Sequence, residues 1–478
     1  MKIYNVLTRK KEEFVPQQDG EVRMYACGIT ASGRAHIGHA YQALIFDVIR
    51  GYLEYLGYRV KYVRNYTDVD DKIIVNARKS GQDPREFAGQ IIRSIEEDFA
   101  RLGVMPPTIQ SRATECIDDI IGFIEELIQK DYAYAAGTGD VYFRVEKFPR
   151  YGSFSNRLVP DELLTGVRKE IEPAKREDRD FALWKNAGAD ELYWESPWGR
   201  GRPGWHIECS AMGQKYLGET LDIHGGGKDL IFPHHENEIA QSEARTGKPF
   251  ARFWIHNGLI KVNGQKMSKS LNNSILLSDL LDEFCGDIIK LTILQNSYRS
   301  DLNVTDGMFQ NNENKIYNLY RLFQRIERTW PGVAGDRDNE FSHRIEKEFR
   351  AGMDNDFNTA LVTANLMGYV SELTKLAHKN NTPSAVIVGV KDTLVRVYGV
   401  LRLLQLDAET VVAAIRAKYL LKANLTEEDL RERIALWNAA RRAGDFSTAD
   451  RVRDALLQAN ISIADDGWDI IVRKSSGV

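Results

Sequence analysis

Cysteine is scarce in this chain: four in 478 residues, at Cys27, Cys116, Cys209 and Cys285. So few thiols, with no framework spacing, exclude a disulfide-built scaffold and fit a reducing compartment, where a thiol serves as a core residue or a metal ligand. Long apolar runs are missing as well. None reaches the roughly 20 residues that a spanning helix needs, and Met1-Lys2-Ile3-Tyr4 has no secretory core; the expected location is the cytoplasm, with no membrane partner. A dominant charge sign is also absent, since 64 Lys and Arg face 68 Asp and Glu for a net charge of -4. That excludes a protein that coats nucleic acid by bulk charge, and leaves room for a local basic face. With 43% hydrophobic and 28% charged residues, the composition is that of a globular protein, and the length suggests about three domains.

What is present is a divided site. Val22 to Cys27 alternates like a strand, Gly28 to Ala35 is rich in turn formers, and His36-Ile37-Gly38-His39 opens an amphipathic helix whose core stripe is Leu44, Ile45, Val48, Ile49, Leu53 and Leu56. Arg59 to Arg64 alternates again, so the unit reads as strand, helix, strand, the crossover that builds a parallel sheet. Ligands of such sheets lie beyond the carboxyl ends of the strands, where helix N-termini offer amides to anions. His36 and His39 fall there, with only Gly38 between them and a phosphate. Far downstream, Lys266-Met267-Ser268-Lys269-Ser270 sits between Asn263-Gly264-Gln265 and Asn272-Asn273. Such a polar loop could close its cations over a pyrophosphate leaving group, as phosphoryl and adenylyl transfer require.

A second constellation joins distant residues. Cys27 ends the first strand, Cys209 follows Gly204-Trp205-His206-Ile207-Glu208, and Pro233-His234-His235-Glu236-Asn237-Glu238 lies beyond. Pro233 suits the first turn of a helix, which would aim His234 and Glu238, four apart, the same way. Two thiolates, an imidazole and a carboxylate make a tetrahedral zinc set, with His235 and Glu236 as supporting partners.

These residues, with Tyr25 to Thr30, Tyr62 to Ile74, Gly201 to Met212 and Asp222 to Leu230, resemble the cysteinyl-tRNA synthetases, class I aminoacyl-tRNA synthetases. The resemblance implies an α/β fold: a Rossmann-like parallel-sheet catalytic domain with a connective insertion, then a helical bundle and a small anticodon-binding-like domain. It divides the chain into residues 1-117 and 201-260 as the catalytic halves, 118-200 as the insertion, 261-305 as the lysine loop and stem-contact region, 306-405 as the bundle and 406-478 as the terminal domain. It implies one zinc ion on Cys27, Cys209, His234 and Glu238, and ATP with Mg2+ at Thr30, His36, Gly38, His39, Gly227, Asp229, Lys266 and Lys269. His36, His39, Lys266 and Lys269 would be catalytic, and Gly28, Thr30, Thr67 and Trp205 would form the cysteine pocket. The implied partners are L-cysteine, ATP and tRNA(Cys); no protein partner is inferable. A metal that takes up the substrate sulfur would separate cysteine from serine, which pocket size alone cannot.

The helical C-terminal half reads as Leu276 to Leu294, Asn311 to Arg328, Ile345 to Lys379 and Ala385 to Leu404, with Arg431, Arg433, Arg441, Arg442, Arg451 and Arg453 as cations for phosphates beyond it. Departures from the family pattern occur at Ala31-Ser32-Gly33, where Val-Tyr-Asp is usual, at Asn272 in place of Gly, and in the tail after Ala464. Two other readings of the same residues are a mycothiol-ligase-like paralogue that passes cysteine to a small amine, and a zinc protein without catalysis.

Overall fold

The computed structural model describes residues 1–155, 174–188, 191–267, 271, 273–379, 381–464 and 467–470. Five strands form the central parallel sheet: β1 (Glu21–Thr30), β2 (Arg59–Thr67), β3 (Ile109–Arg112), β4 (Leu221–Gly227) and β5 (Ala251–Asn257). Their order is β5-β4-β1-β2-β3, so the strand order reverses at β1, which marks β1 and β4 as the place for a ligand crevice. The sequence dictates this interior. Val22, Met24, Tyr25, Ala26 and Cys27 on β1, and Leu221 to Gly227 on β4, are all buried, as expected of parallel strands covered on both faces.

Helix α1 (Ile37–Tyr55) carries the crossover from β1 to β2. Between β3 and β4 the chain forms the helix Ile117–Gln129 and an antiparallel sheet of Ala133–Ala135, Val141–Phe143, Phe181–Asn186 and Gly201–Pro203. It then re-enters the main sheet through the helix Trp205–Leu217. After β5 come mostly helices, and the sequence periodicity overruns two breaks there. The stretch from Leu276 divides into Leu277–Glu283 and Gly286–Leu294, with Phe284 extended and buried between them. The stretch from Ile345 divides into Glu340–Asp354 and Thr359–His378. At that second break Asp356 and Phe357 take φ of 65 and 49. The buried Asp356 carboxylate accepts the Tyr4 amide at 2.9 Å and the Tyr298 hydroxyl at 2.8 Å, and pairs with Arg299 at 3.0 Å. Tertiary bonds to a buried charge outweigh helical periodicity there.

A buried network fastens the bundle to the catalytic sheet. Asp47 of α1 accepts from Arg402 at 2.9 and 3.0 Å and from the Met105 amide at 2.9 Å. Further on, the helices Glu427–Arg442 and Phe446–Gln458 have a small core of their own around Leu420, Leu430, Leu456 and Ile461. Most of the tail after Ala464 lies outside the described residues. Among those described, no helix is long and apolar enough to cross a membrane.

Candidate active site and metal centre

The two histidines of α1 build its N-terminus. His36 Nδ1 accepts the amides of Gly38 at 3.1 Å and His39 at 3.4 Å, while His39 Nδ1 accepts the His36 amide at 3.3 Å. This is a reciprocal capping box made of imidazoles, with the rings stacked 3.6 Å apart. With Nδ1 accepting, the neutral ring carries its proton on Nε2, a donor suited to phosphate. The positive end of the helix dipole acts at the same point. Gly38 is required by space: a Cβ there would lie 2.9 Å from His36 Cε1 and 3.5 Å from Met267 Cε.

Around this cap lies a cavity of about 260 Å³ lined by His36, Gly38, His39, Gly227, Asp229 and Lys266, among others. Lys266 is exposed at the end of a short strand paired with Lys261. Lys269 and Asn272 lie outside the described residues. Ala31, one of the departures, is buried and donates its amide to the Thr67 carbonyl at 2.9 Å.

The second constellation converges over the central strands β1 and β4. Cys27 Sγ lies 3.7 Å from Cys209 Sγ, 3.4 Å from Glu238 Oε1 and 3.3 Å from His235 Nε2. His234 Nε2 is 3.1 Å from Glu238 Oε1. All five residues are buried, and donor atoms of Cys27, His234, His235 and Glu238 lie within 4.8 Å of one another. Local structure aims them. The β1–β2 register shifts between Ala26 and Ile29, a bulge that re-aims Cys27. Gly28 is needed beside it, because a Cβ would fall 1.5 Å from the Asn65 carbonyl oxygen. His234 lies in a wide turn, Ile231–His235, that leads into the helix Glu236–Thr246. The helix thus begins later than Pro233, yet His234 and Glu238 still meet.

Electrostatics set this cluster apart. Burial alone would push the Glu238 carboxyl up, but His224 and His234 hold it well below the usual carboxylate range. Burial alone would lower His234, but the Glu238 charge and Cys209 raise it to about 10. Cys209 is also desolvated, yet hydrogen bonds from Cys27 and His234 bring its thiol down to about 6, whereas burial pushes Cys27 up. His235 is kept neutral by burial and His256, and His256 is lowered to about 3 by burial and His224. A carboxylate, two thiols and two imidazoles gathered in a dry space are a donor set that fits Zn2+ once the thiols and His234 give up their protons to the metal.

Sequence reasoning missed part of this arrangement. His235 sits inside the donor cluster and its Nδ1 is 2.7 Å from His256 Nε2; His224 Nε2 is 2.8 Å from Glu238 Oε2; His206 Nδ1 is 3.0 Å from His234 Nδ1. His206, His224 and His256 lie apart from the His234-His235 pair in the chain and no spacing marks them, whereas His235, expected as a supporting partner, stands among the donors themselves. Glu236 does not support the cluster: its carboxylate accepts the amides of Gly152 and Ser155, both at 2.8 Å, and so pins the insertion. The remaining pocket candidates gather beside the thiols. Thr30 pairs with Thr67 across β1 and β2, Thr67 donates to Glu208 at 2.8 Å, and the Trp205 ring lies tilted by 32° against His234, with 4.3 Å between centroids and 39% of its surface exposed.

A reversed sheet order, a phosphate-ready helix cap facing a lysine strand, and a buried Cys/His/Glu cluster define a nucleotide-using catalytic domain with a metal-type centre. The family described as "tRNA synthetases class I (C) catalytic domain" matches residues 13–314, and the "DALR domain" family matches residues 348–405. Solved structures share the fold: a Mycobacterium tuberculosis methionyl-tRNA synthetase in complex with methionyl-adenylate has a TM-score of 0.57 at 14% identity, covering 85% of this chain and 94% of that one. An Agrobacterium radiobacter K84 LeuRS complex has a TM-score of 0.58 at 12% identity, covering 84% and 88%. Closer in sequence are proteins named cysteine--tRNA ligase. That of Syntrophotalea carbinolica is 44% identical, covering 97% of this chain and 98% of its own; that of Geotalea uraniireducens is 42% identical with the same coverage. The chain belongs to the cysteinyl-tRNA synthetase family of class I aminoacyl-tRNA synthetases.

Proposed function

We propose that this protein activates L-cysteine with ATP and transfers it to the 3' end of tRNA(Cys), using one Zn2+ held by Cys27, Cys209, His234 and Glu238. The observation that carries the amino-acid choice is the burial of two thiols, an imidazole and a carboxylate at the carboxyl ends of β1 and β4, beside Thr67 and Trp205. Bound zinc would supply a Lewis-acid site with a preference for sulfur over hydroxyl oxygen. The chain's own residues do the rest. His36 and His39 present Nε2 donors to the phosphates at the positive end of α1, and Gly38 lets the nucleotide approach closely. Gly227 and Asp229 would hold the ribose, and Lys266 with Lys269 would balance charge as pyrophosphate leaves with its Mg2+. Trp205, packed at a tilt against His234, would shield the reacting carboxyl group from water on that side.

The division into catalytic halves 1-117 and 201-260, an insertion 118-200, a loop region 261-305, a bundle 306-405 and a terminal domain 406-478 belongs to this proposal. The helices Glu427–Arg442 and Phe446–Gln458 carry exposed arginines on a separate small core and favour a tRNA acceptor over a small amine. Aminoacylation of total tRNA with labelled cysteine tests the reading: charging of a cysteine-accepting fraction supports it, and charging with another amino acid refutes it.

A further inference from the structure

Gln42 reaches the nucleotide cavity with one end of its amide already committed. Its Nε2 donates to the Cys27 carbonyl. An amide oxygen in that place would face another oxygen, so the orientation is fixed and Oε1 is the end left over. No group among the described residues donates to Oε1. Gln42 is half-buried and lines the cavity together with Gly227 and Asp229. A Cβ on Gly227 would lie 3.8 Å from Gln42 Oε1 and 2.5 Å from Asp229 Oδ1. Two acceptor oxygens, one neutral and one charged, thus stand around the same strand end, and the Asp229 carboxylate has no hydrogen-bond partner among the described residues either.

We propose that Gln42 is a specificity-determining residue: its Oε1 accepts one hydroxyl proton of the nucleotide's ribose while Asp229 accepts the other, so that the site selects ATP over its deoxy forms. The inference rests on the reading of Gly227 and Asp229 as the ribose seat. A group that lies against two proton acceptors must bring protons and cannot bring negative charge. The triphosphate brings negative charge and belongs to the histidine cap; the ribose brings two adjacent hydroxyls. The amine of the base is at the far end of the nucleoside from the phosphates, whereas Gln42 is close to their donors. It lies one turn after His39 on the same face of α1, about 4.5 Å further along the axis. One rigid helix thus sets the spacing between the donors for the phosphates and the acceptor for the sugar.

The test measures dissociation constants for ATP, 2'-deoxy-ATP and 3'-deoxy-ATP, on the purified full chain and on Gln42→Met, which keeps the length of the side chain and removes the acceptor. The unaltered protein binds ATP more tightly than either deoxy form. Gln42→Met loses about 3- to 10-fold for ATP, the size of one neutral hydrogen bond, and the same for one deoxy form; for the other, which lacks the hydroxyl that Gln42 holds, it changes by less than about twofold. Should Gln42→Met fail to fold, Gln42→Leu takes its place with the same expectation. Equal weakening of all three nucleotides, as a reader of the base or a merely structural amide would give, overturns the inference and leaves the nucleotide cavity standing. An unaltered protein that binds the three alike does the same. An unaltered protein that binds no ATP overturns the cavity reading and this inference with it.

Discussion

Replacing Gly38 by Ala separates the nucleotide site from the stability of the helix that carries it. Gly38 is the second residue of α1 and has an ordinary φ, so alanine should favour the helix by about 1 kcal/mol. The new Cβ would, however, lie 2.9 and 3.0 Å from Cε1 and Nδ1 of His36. The ring must move by several tenths of an ångström, which loosens the cap it makes to the amides of Gly38 and His39, at a cost of about 1 kcal/mol. The two terms nearly cancel, and the melting temperature should stay within a few degrees. Activity has no such compensation. The methyl group both occupies the floor of the cavity and displaces the donor aimed at the phosphates, so that the nucleotide sits about 1 Å out of place, which costs about 100-fold, or about 2.7 kcal/mol of transition-state stabilisation. Cysteine-dependent ATP–pyrophosphate exchange measures it, with scanning calorimetry on the same sample. Exchange within threefold of the unaltered protein refutes the assignment of this helix end to the phosphates. A fall in melting temperature parallel to the fall in rate would instead mean that α1 had come apart.

Three further outcomes are expected. Cys209→Ser should lower bound zinc and cysteine affinity together while ATP affinity stays near its original value; metal analysis and equilibrium dialysis decide it, and full metal retention refutes the ligand set. Ending the chain after Asn424 removes the helices Glu427–Arg442 and Phe446–Gln458 with their separate core and keeps the Asp47–Arg402 network. Exchange should survive that truncation and transfer to tRNA should fall, so unimpaired transfer argues against tRNA reading by this region. Asp301 accepts the Leu259 amide at 3.0 Å and pairs with Lys228 and Lys261; burial opposes its ionisation, but these partners bring it down to about 2. A depressed carboxyl stabilises the fold above its unfolded value of about 3.9 and loses that contribution as pH falls further. Asp301→Asn should therefore unfold at lower denaturant than the unaltered protein at neutral pH, with the gap narrowing between about pH 4 and 2. A gap independent of pH refutes the ion-pair account.

How much could be read in advance differs from element to element. The strand-helix-strand unit at Val22 to Arg64 was legible because period-two and helical patterns change at turn formers, and burial on both faces leaves little freedom in register. The breaks at Phe284 and Asp356 were not, because each is held by partners from elsewhere: Asp356 by Tyr4, Tyr298 and Arg299.

The chain by itself determined the kinds of chemistry available: a His-Ile-Gly-His helix start, a Lys-Met-Ser-Lys-Ser loop, and Cys27, Cys209, His234 and Glu238 as thiol, imidazole and carboxylate donors. These follow from residue type and from local spacing along a helix or strand. Only the tertiary structure decided which of them share a dry space. His235 faces Cys27, whereas its neighbour Glu236 turns to the insertion; His224 and His256 join from two strands; and Glu208 meets Thr67 across a helix and a strand. Neighbours in sequence can point opposite ways, and residues 141 positions apart can share one proton, because side-chain direction is set by the packing of whole elements and not by the local pattern.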